Sequence, residues 1–143
     1  MISFSKERLT KEDAHQLLND FDQMFSPALS SHIDIEQFSE KLSKYAFFIL
    51  CRSDDEVVGY IAFYENKETQ TSFIPSICVK DSYRTKGLAS QMMDYLVQQS
   101  PDDIEKISLE VRKNNSSALK YYERNGFVFS EDRNTKILMN RKI

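Results

Sequence analysis

The stretch Arg84-Thr85-Lys86-Gly87-Leu88-Ala89 decides the reading of this chain, because it joins an apolar strand-like run, Ser76 to Val79, to an amphipathic helical segment. A helix that begins there presents backbone N–H groups with no intrahelical partner, and its aligned peptide dipoles add partial positive charge at the same end. Anions, phosphates above all, are favoured at such a junction. Gly87 lets backbone approach a ligand closely, small Ala89 keeps the first turn open, and Arg84 and Lys86 add mobile positive charge. The spacing lacks the second and third glycines of a dinucleotide fingerprint and the Gly-Lys-Ser/Thr ending of a nucleoside triphosphate loop, so neither reading applies.

A second cluster lies downstream. Leu109-Glu110-Val111 closes another strand-like run, and Asn115, Ala118, Tyr122, Gly126 and Phe127 follow it. Steps of three and four put Asn115, Ala118 and Tyr122 on one face of a helix. Gly126 then stands where a chain leaving a helix turns left-handed, and Phe127 starts the next strand inward.

Arg-x-x-Gly-x-Ala after a strand, followed by this Asn, Tyr and Gly-Phe pattern, resembles the two acetyl-CoA motifs of the GNAT superfamily of N-acetyltransferases. The run from Leu109 to Phe127 is especially similar to the ribosomal-protein-alanine N-acetyltransferase branch, and the resemblance spans roughly Val57 to Phe127. It implies that Arg84, Thr85, Lys86, Gly87, Leu88 and Ala89 hold the cofactor pyrophosphate. It implies that backbone groups of Ile77, Cys78 and Val79 pair with pantetheine and the thioester oxygen, that Asn115 touches the cofactor, and that the Tyr122 hydroxyl lies near its sulfur. Glu110 then stands as general base and Tyr122 as general acid, with a base elsewhere or a water left open. No Glu or Asp lies between Phe73 and Val79, another place where the superfamily can carry one. Tyr121 and Tyr122 are adjacent, and the spacing to Asn115 and Gly126 selects Tyr122.

The implied activity is transfer of an acetyl group from acetyl-CoA, as acyl-donor cosubstrate, to a primary amine of a small molecule or of a protein or peptide. The alternative is a non-catalytic acyl-CoA-binding regulatory domain, which would need neither Glu110 nor Tyr122. The resemblance also leaves room for a homodimer, although no stretch identifies an interface. Acceptor choice is expected from the first two helices and the loop from Ala28 to Ile33.

Composition sets the outer bounds. The 143 residues suit one domain, residues 1–143, with 41% hydrophobic and 29% charged content typical of a globular protein. A net charge of −3 argues against nucleic acid as a partner, since binding there needs a basic face. The longest apolar run, Tyr45 to Cys51, is too short to span a membrane, and the amino terminus lacks a signal-peptide core, so a cytoplasmic protein is expected. Cys51 and Cys78 sit in separate apolar runs without metal-ligand spacing, which points to buried reduced thiols and no metal. His15 and His32 read as solvated or hydrogen-bonded residues.

The periodicities predict the remaining elements. Thr10 to Asp13 resembles a capping box, and Ala14, Leu17, Leu18, Phe21, Met24 and Phe25 extend a first helix to about Phe25. A second helix begins at Asp34, with Ile35, Phe38, Leu42 and Tyr45 on its apolar side. Strands are expected at Ala46 to Arg52, Val57 to Tyr64, into Val79, Ile104 to Val111, Phe127 to Phe129 and Lys136 to Asn140. Helices are expected from Gly87 and over Ser116 to Asn125. Gly59, inside a strand, reads as a packing position, and Pro75 removes a donor from a strand that otherwise looks central. This order predicts an α/β (α+β) fold: a mixed, mostly antiparallel sheet of six to seven strands with helices on both faces. The resemblance adds a splayed parallel central pair, with the strand ends near Val79 and Val111 parting close to Ile77.

Overall fold

A computed structural model describes residues 1–143. The elements run β1 (Ile2–Glu7), α1 (Lys11–Phe21), α2 (Ile35–Tyr45), β2 (Phe47–Ser53), β3 (Glu56–Asn66), β4 (Thr71–Val79), α3 (Leu88–Gln98), β5 (Lys106–Arg112), α4 (Ser116–Arg124), β6 (Val128–Arg133) and β7 (Lys136–Lys142). Short 3-10 turns occupy Asp22–Met24, Leu29–Ser31 and Asp81–Lys86. The hydrogen-bonded strand order is β1-β2-β3-β4-β5-β7-β6. β4 and β5 run parallel, whereas β1–β2, β2–β3, β5–β7 and β6–β7 are antiparallel, the mixed sheet expected from the sequence. The chain groups into two compact units, Met1–Phe63 with Ser76–Gln99, and Tyr64–Pro75 with Ser100–Ile143.

In the first unit, side-chain caps set the helix starts. Thr10 Oγ1 accepts the Asp13 N–H at 3.1 Å, and Asp34 Oδ1 accepts the Gln37 N–H at 3.1 Å. Neighbouring residues of β3 then reach opposite faces. The Tyr60 ring meets Phe21 of α1 edge-on at 5.1 Å, while a Cβ on Gly59 would lie 3.2 Å from Met92 Cε of α3 and 3.3 Å from Val79 Cγ2. Helices therefore cover both faces of these strands, and Gly59 is a packing position. It also adjoins a bulge, since the register steps from Cys51↔Gly59 to Arg52↔Val57.

Two expectations for this unit need correction, and one strand was not expected at all. α1 stops at Phe21, short of Phe25, because the Asp22 carboxylate accepts both the N–H and the hydroxyl of Ser30 at 2.7 Å and draws the chain into a 3-10 turn. Tyr45, placed on the apolar side of α2, is 64% exposed, and Leu42 carries the burial instead. The strand β1 was not anticipated, although Ile2 and Phe4 alternate with polar residues. It pairs with β2 from Ile2↔Ser53 to Glu7↔Phe48.

In the second unit, Ile107, Leu109 and Val111 of β5 and Met139 of β7 are buried, alternating with more polar neighbours. The parallel ladder runs from Thr71↔Lys106 to Ile74↔Leu109 and ends one residue before Pro75, which has no N–H to donate. The parting thus falls at Pro75 rather than near Ile77. β5 begins at Lys106, leaving Ile104 buried just before it. β6 and β7 extend beyond their predicted ends, joined through Asn134 at φ 70°, with Ser130 left over by a register shift between Phe129 and Glu131.

Candidate functional site

In the first unit, Ile77, Cys78 and Val79 end β4, the 3-10 turn Asp81–Lys86 follows, and α3 begins after Gly87. Thr10, Asp34 and Asn115 cap the other three helices with a side chain, whereas α3 starts at Gly87 without one. Its first N–H groups therefore point out of the helix unserved by a capping side chain. No acidic residue stands in the first turn, and Arg84 and Lys86 precede it. Gly87 adopts φ +70°, and a Cβ there would meet nothing within 4 Å. The left-handed backbone, rather than crowding, is what calls for glycine.

Arg84 is not the mobile cation the sequence suggests. Its Nε donates to Val79 O at 3.0 Å, its Nη2 to Met24 O at 2.7 Å, and its Nη1 lies 3.1 Å from Asp81 Oδ1. One guanidinium so ties the end of β4 to the turn after α1, because its planar fork can serve several acceptors at once. Thr85 and Lys86 are exposed, while Leu88 is buried and anchors the first turn of α3. Cys78 and Cys51 are buried free thiols. Burial pushes the Cys78 thiol up, with Arg84 partly opposing it, so the thiol stays protonated.

In the second unit, Asn115 Oδ1 accepts the Ala118 N–H at 3.1 Å, so the residue singled out for cofactor contact also caps α4. The helix ends in a Schellman arrangement, with Gly126 at φ +90°, Gly126 N–H donating to Glu123 O and Phe127 N–H to Tyr122 O. The Tyr122 ring packs edge-on against Tyr121 at 5.3 Å and Phe127 at 5.4 Å. Burial, with a contribution from Tyr121, pushes its phenol up to about 12.

Glu110 is held by a residue that sequence reasoning missed. Arg133 Nη1 lies 3.1 Å from Glu110 Oε2, and Arg133 Nε lies 2.8 Å from Glu131 Oε2. The register explains this, because Glu110 and Glu131 both stand opposite Leu138 on β7 and so share one face, with Arg133 two residues further along. Nothing local to Arg133 signals the role. The end of α4 belongs to the other face, since a Cβ on Gly126 would lie 3.8 Å from Cγ of Arg141, which alternates with Leu138 and Asn140.

The profile of the "Acetyltransferase (GNAT) family" matches residues 12–127. An N-alpha-acetyltransferase of Sulfurisphaera tokodaii is 31% identical over 126 residues, covering 77% of this chain and 75% of that protein. Among solved structures, the PaiA N-acetyltransferase of Thermoplasma acidophilum in complex with coenzyme A shares the fold at a TM-score of 0.74 and 17% identity, covering 99% of both chains. The ribosomal-protein-S18-alanine N-acetyltransferase of Escherichia coli does so at a TM-score of 0.74 and 16% identity, covering 100% of this chain and 94% of that one. The chain belongs to the acetyltransferase (GNAT) family, and so to the acyltransferases.

Proposed function

We propose that this chain acts as a single domain, residues 1–143, and moves an acetyl group from acetyl-CoA to a primary amine of a small molecule or a peptide. The observation that carries the reading is the start of α3, which alone among the four α-helices lacks a side-chain cap and follows Arg84 and Lys86. A diphosphate there would accept the N–H groups that Thr10, Asp34 and Asn115 serve elsewhere. The N-alpha-acetyltransferase relative and the coenzyme A complex of the Thermoplasma protein support the same donor.

An amine attacking a thioester needs a deprotonated nucleophile, a polarised carbonyl and a proton for the departing thiolate. Of the backbone N–H groups at Ile77, Cys78 and Val79, those that alternate away from β3 are the donors toward the thioester oxygen, fixed before reaction by the strand. Tyr122, whose phenol keeps its proton throughout the neutral range, is the acid for sulfur. Glu110 is the base for the amine once Arg133 yields its carboxylate. Asn115, Thr85, Lys86, Gly87, Leu88 and Ala89 complete the donor site.

Calorimetric titration with acetyl-CoA, followed by measurement of CoA released in the presence of amines and short peptides, tests the reading. Binding with acceptor-dependent release is expected. Failure to bind coenzyme A in any form overturns it, and binding without release for any acceptor replaces the enzyme with a ligand-binding domain.

A further inference from the structure

The second unit holds a cavity of about 380 Å³ that the transfer chemistry above does not use. It lies on the Glu110 face of β5 and β7, with Lys106, Ser108, Leu138 and Asn140 in its wall, and Arg133 reaches it from the β6 end. Its lining contains two cations, Lys106 and Arg133, and no acid. The Arg133 charge is already met by Glu110 and Glu131, whereas Lys106 enters no ion pair.

The amides of the wall have their oxygens occupied. Asn66 Oδ1 accepts the N–H groups of Glu68 and Thr69 at 3.0 and 3.2 Å, and Asn140 Oδ1 accepts the Ser108 hydroxyl at 2.6 Å. Asn66 has used both acceptor sites of its oxygen and Asn140 one of two, while the NH2 group of each is left to donate. A free ammonium and two amide donors without a competing carboxylate select an acceptor group that is anionic. Phe73 and Leu138 give the same cavity an apolar wall, which suits the methylene stem of such a ligand.

Arg133 connects this cavity to Glu110, the proposed base. Resting on the acetyl-transfer reading, we propose that the cavity is the acceptor subsite for a carboxylate-bearing amine. The carboxylate lies against Lys106, Asn66 and Asn140, and the amine reaches toward Glu110. From Lys106 to Glu110 is four residues of strand, about 13 Å between Cα atoms. The two long side chains shorten that span, so the carboxylate and amine are several bonds apart. An ω-amino acid has this spacing, and so does a peptide amino terminus followed by an acidic residue.

The test compares δ-aminovalerate with its neutral carboxamide, and the peptide alanyl-glutamyl-alaninamide with its glutaminyl counterpart. Affinity is read by NMR titration of the whole protein without acetyl-CoA, and acetylation by CoA release. The carboxylate member of at least one pair binds about tenfold tighter than its neutral partner, the effect of one charge-assisted contact. Lys106→Gln abolishes that ratio, and Lys106→Arg restores part of it. Because the ratio is taken within each variant, a general loss of stability does not mimic the result. Preference for the free amine or for the peptide identifies the source of the carboxylate. Equal binding of carboxylate and carboxamide in both pairs, or a ratio unmoved in Lys106→Gln, overturns the subsite while leaving acetyl transfer intact. Selective binding with no CoA release in the presence of any acceptor leaves a carboxylate-binding cavity but overturns its role as an acceptor subsite together with the transfer reading.

Discussion

Replacing Arg84 with alanine separates a structural strut from a ligand-binding cation. The guanidinium makes two hydrogen bonds to backbone carbonyls, to Val79 O at 3.0 Å and Met24 O at 2.7 Å, besides the ion pair with Asp81. The ion pair is surface-exposed on both sides, and such pairs contribute only ~0.3 kcal/mol. Each charge-assisted bond to a carbonyl is worth ~1.5–3 kcal/mol when desolvated, but the half-exposed side chain reduces each to ~1 kcal/mol. Arg84→Ala should therefore destabilise the ligand-free protein by ~2 kcal/mol, or lower its Tm by ~6 °C at the slope usual for this size. Arg84→Lys should recover less than half, because an ammonium cannot serve Val79 O and Met24 O as a planar fork does. Urea unfolding of the three ligand-free proteins, with slopes compared as well as midpoints, is the assay. If Arg84→Ala unfolds at the wild-type midpoint and only its affinity for acetyl-CoA falls, the guanidinium is a swinging phosphate ligand and the strut argument is wrong.

Gly59→Ala forces a Cβ to within 3.2 Å of Met92 Cε and 3.3 Å of Val79 Cγ2, and the stiff valine makes a loss of ~1–2 kcal/mol the expected outcome. Denaturant titration measures it, and adding Met92→Ala should change that loss if the two atoms collide. Asn115→Ala removes the cap on Ala118 N–H and should cost ~1 kcal/mol, whereas Asn115→Ser should restore stability. A serine variant that is stable but weak in calorimetric CoA binding isolates the cofactor contact. Tyr122→Phe should lower turnover by ~10²–10⁴-fold while leaving ligand-free stability near wild type, and unchanged turnover removes Tyr122 as the acid. The phenols of Tyr60 and Tyr122 are both raised above their ordinary value of 10.0, so above that pH the unfolded chain releases protons that the folded chain keeps. The unfolded state then binds fewer protons, and stability falls as pH rises past 10, less steeply in Tyr122→Phe, as urea midpoints across that range would show.

The elements legible in the sequence were those fixed by short-range chemistry. Thr10, Asp34 and Gly126 mark helix ends because a cap or a left-handed turn involves residues only a few positions apart. β1 was missed because its six residues carry only two apolar alternations, and its place comes from pairing with β2 more than forty positions away. The early end of α1 has the same origin, since the Asp22 to Ser30 hydrogen bonds reach across a loop that no periodicity describes. Pro75 was legible as a break in a ladder, yet its position was misjudged because the ladder partner is set by the parallel register Ile74↔Leu109.

The site divides along the same line. The uncapped start of α3 and the spacing from Asn115 to Tyr122 are local, and both could be read directly from residue types. Arg84 was legible as a motif residue but not as a strut, because Met24 lies sixty positions away. Arg133 depends on the joint register of β5, β7 and β6, and on one surplus residue in particular. Without Ser130 as the surplus residue between Phe129↔Met139 and Glu131↔Leu138, the rest of β6 would shift by one place against β7. A shift of one turns every later side chain to the opposite face. Arg133 and Glu131 would then leave the row that contains Glu110. The ion pair that restrains the proposed base, and the cation at the end of the acid-free cavity, both follow from that single bulge.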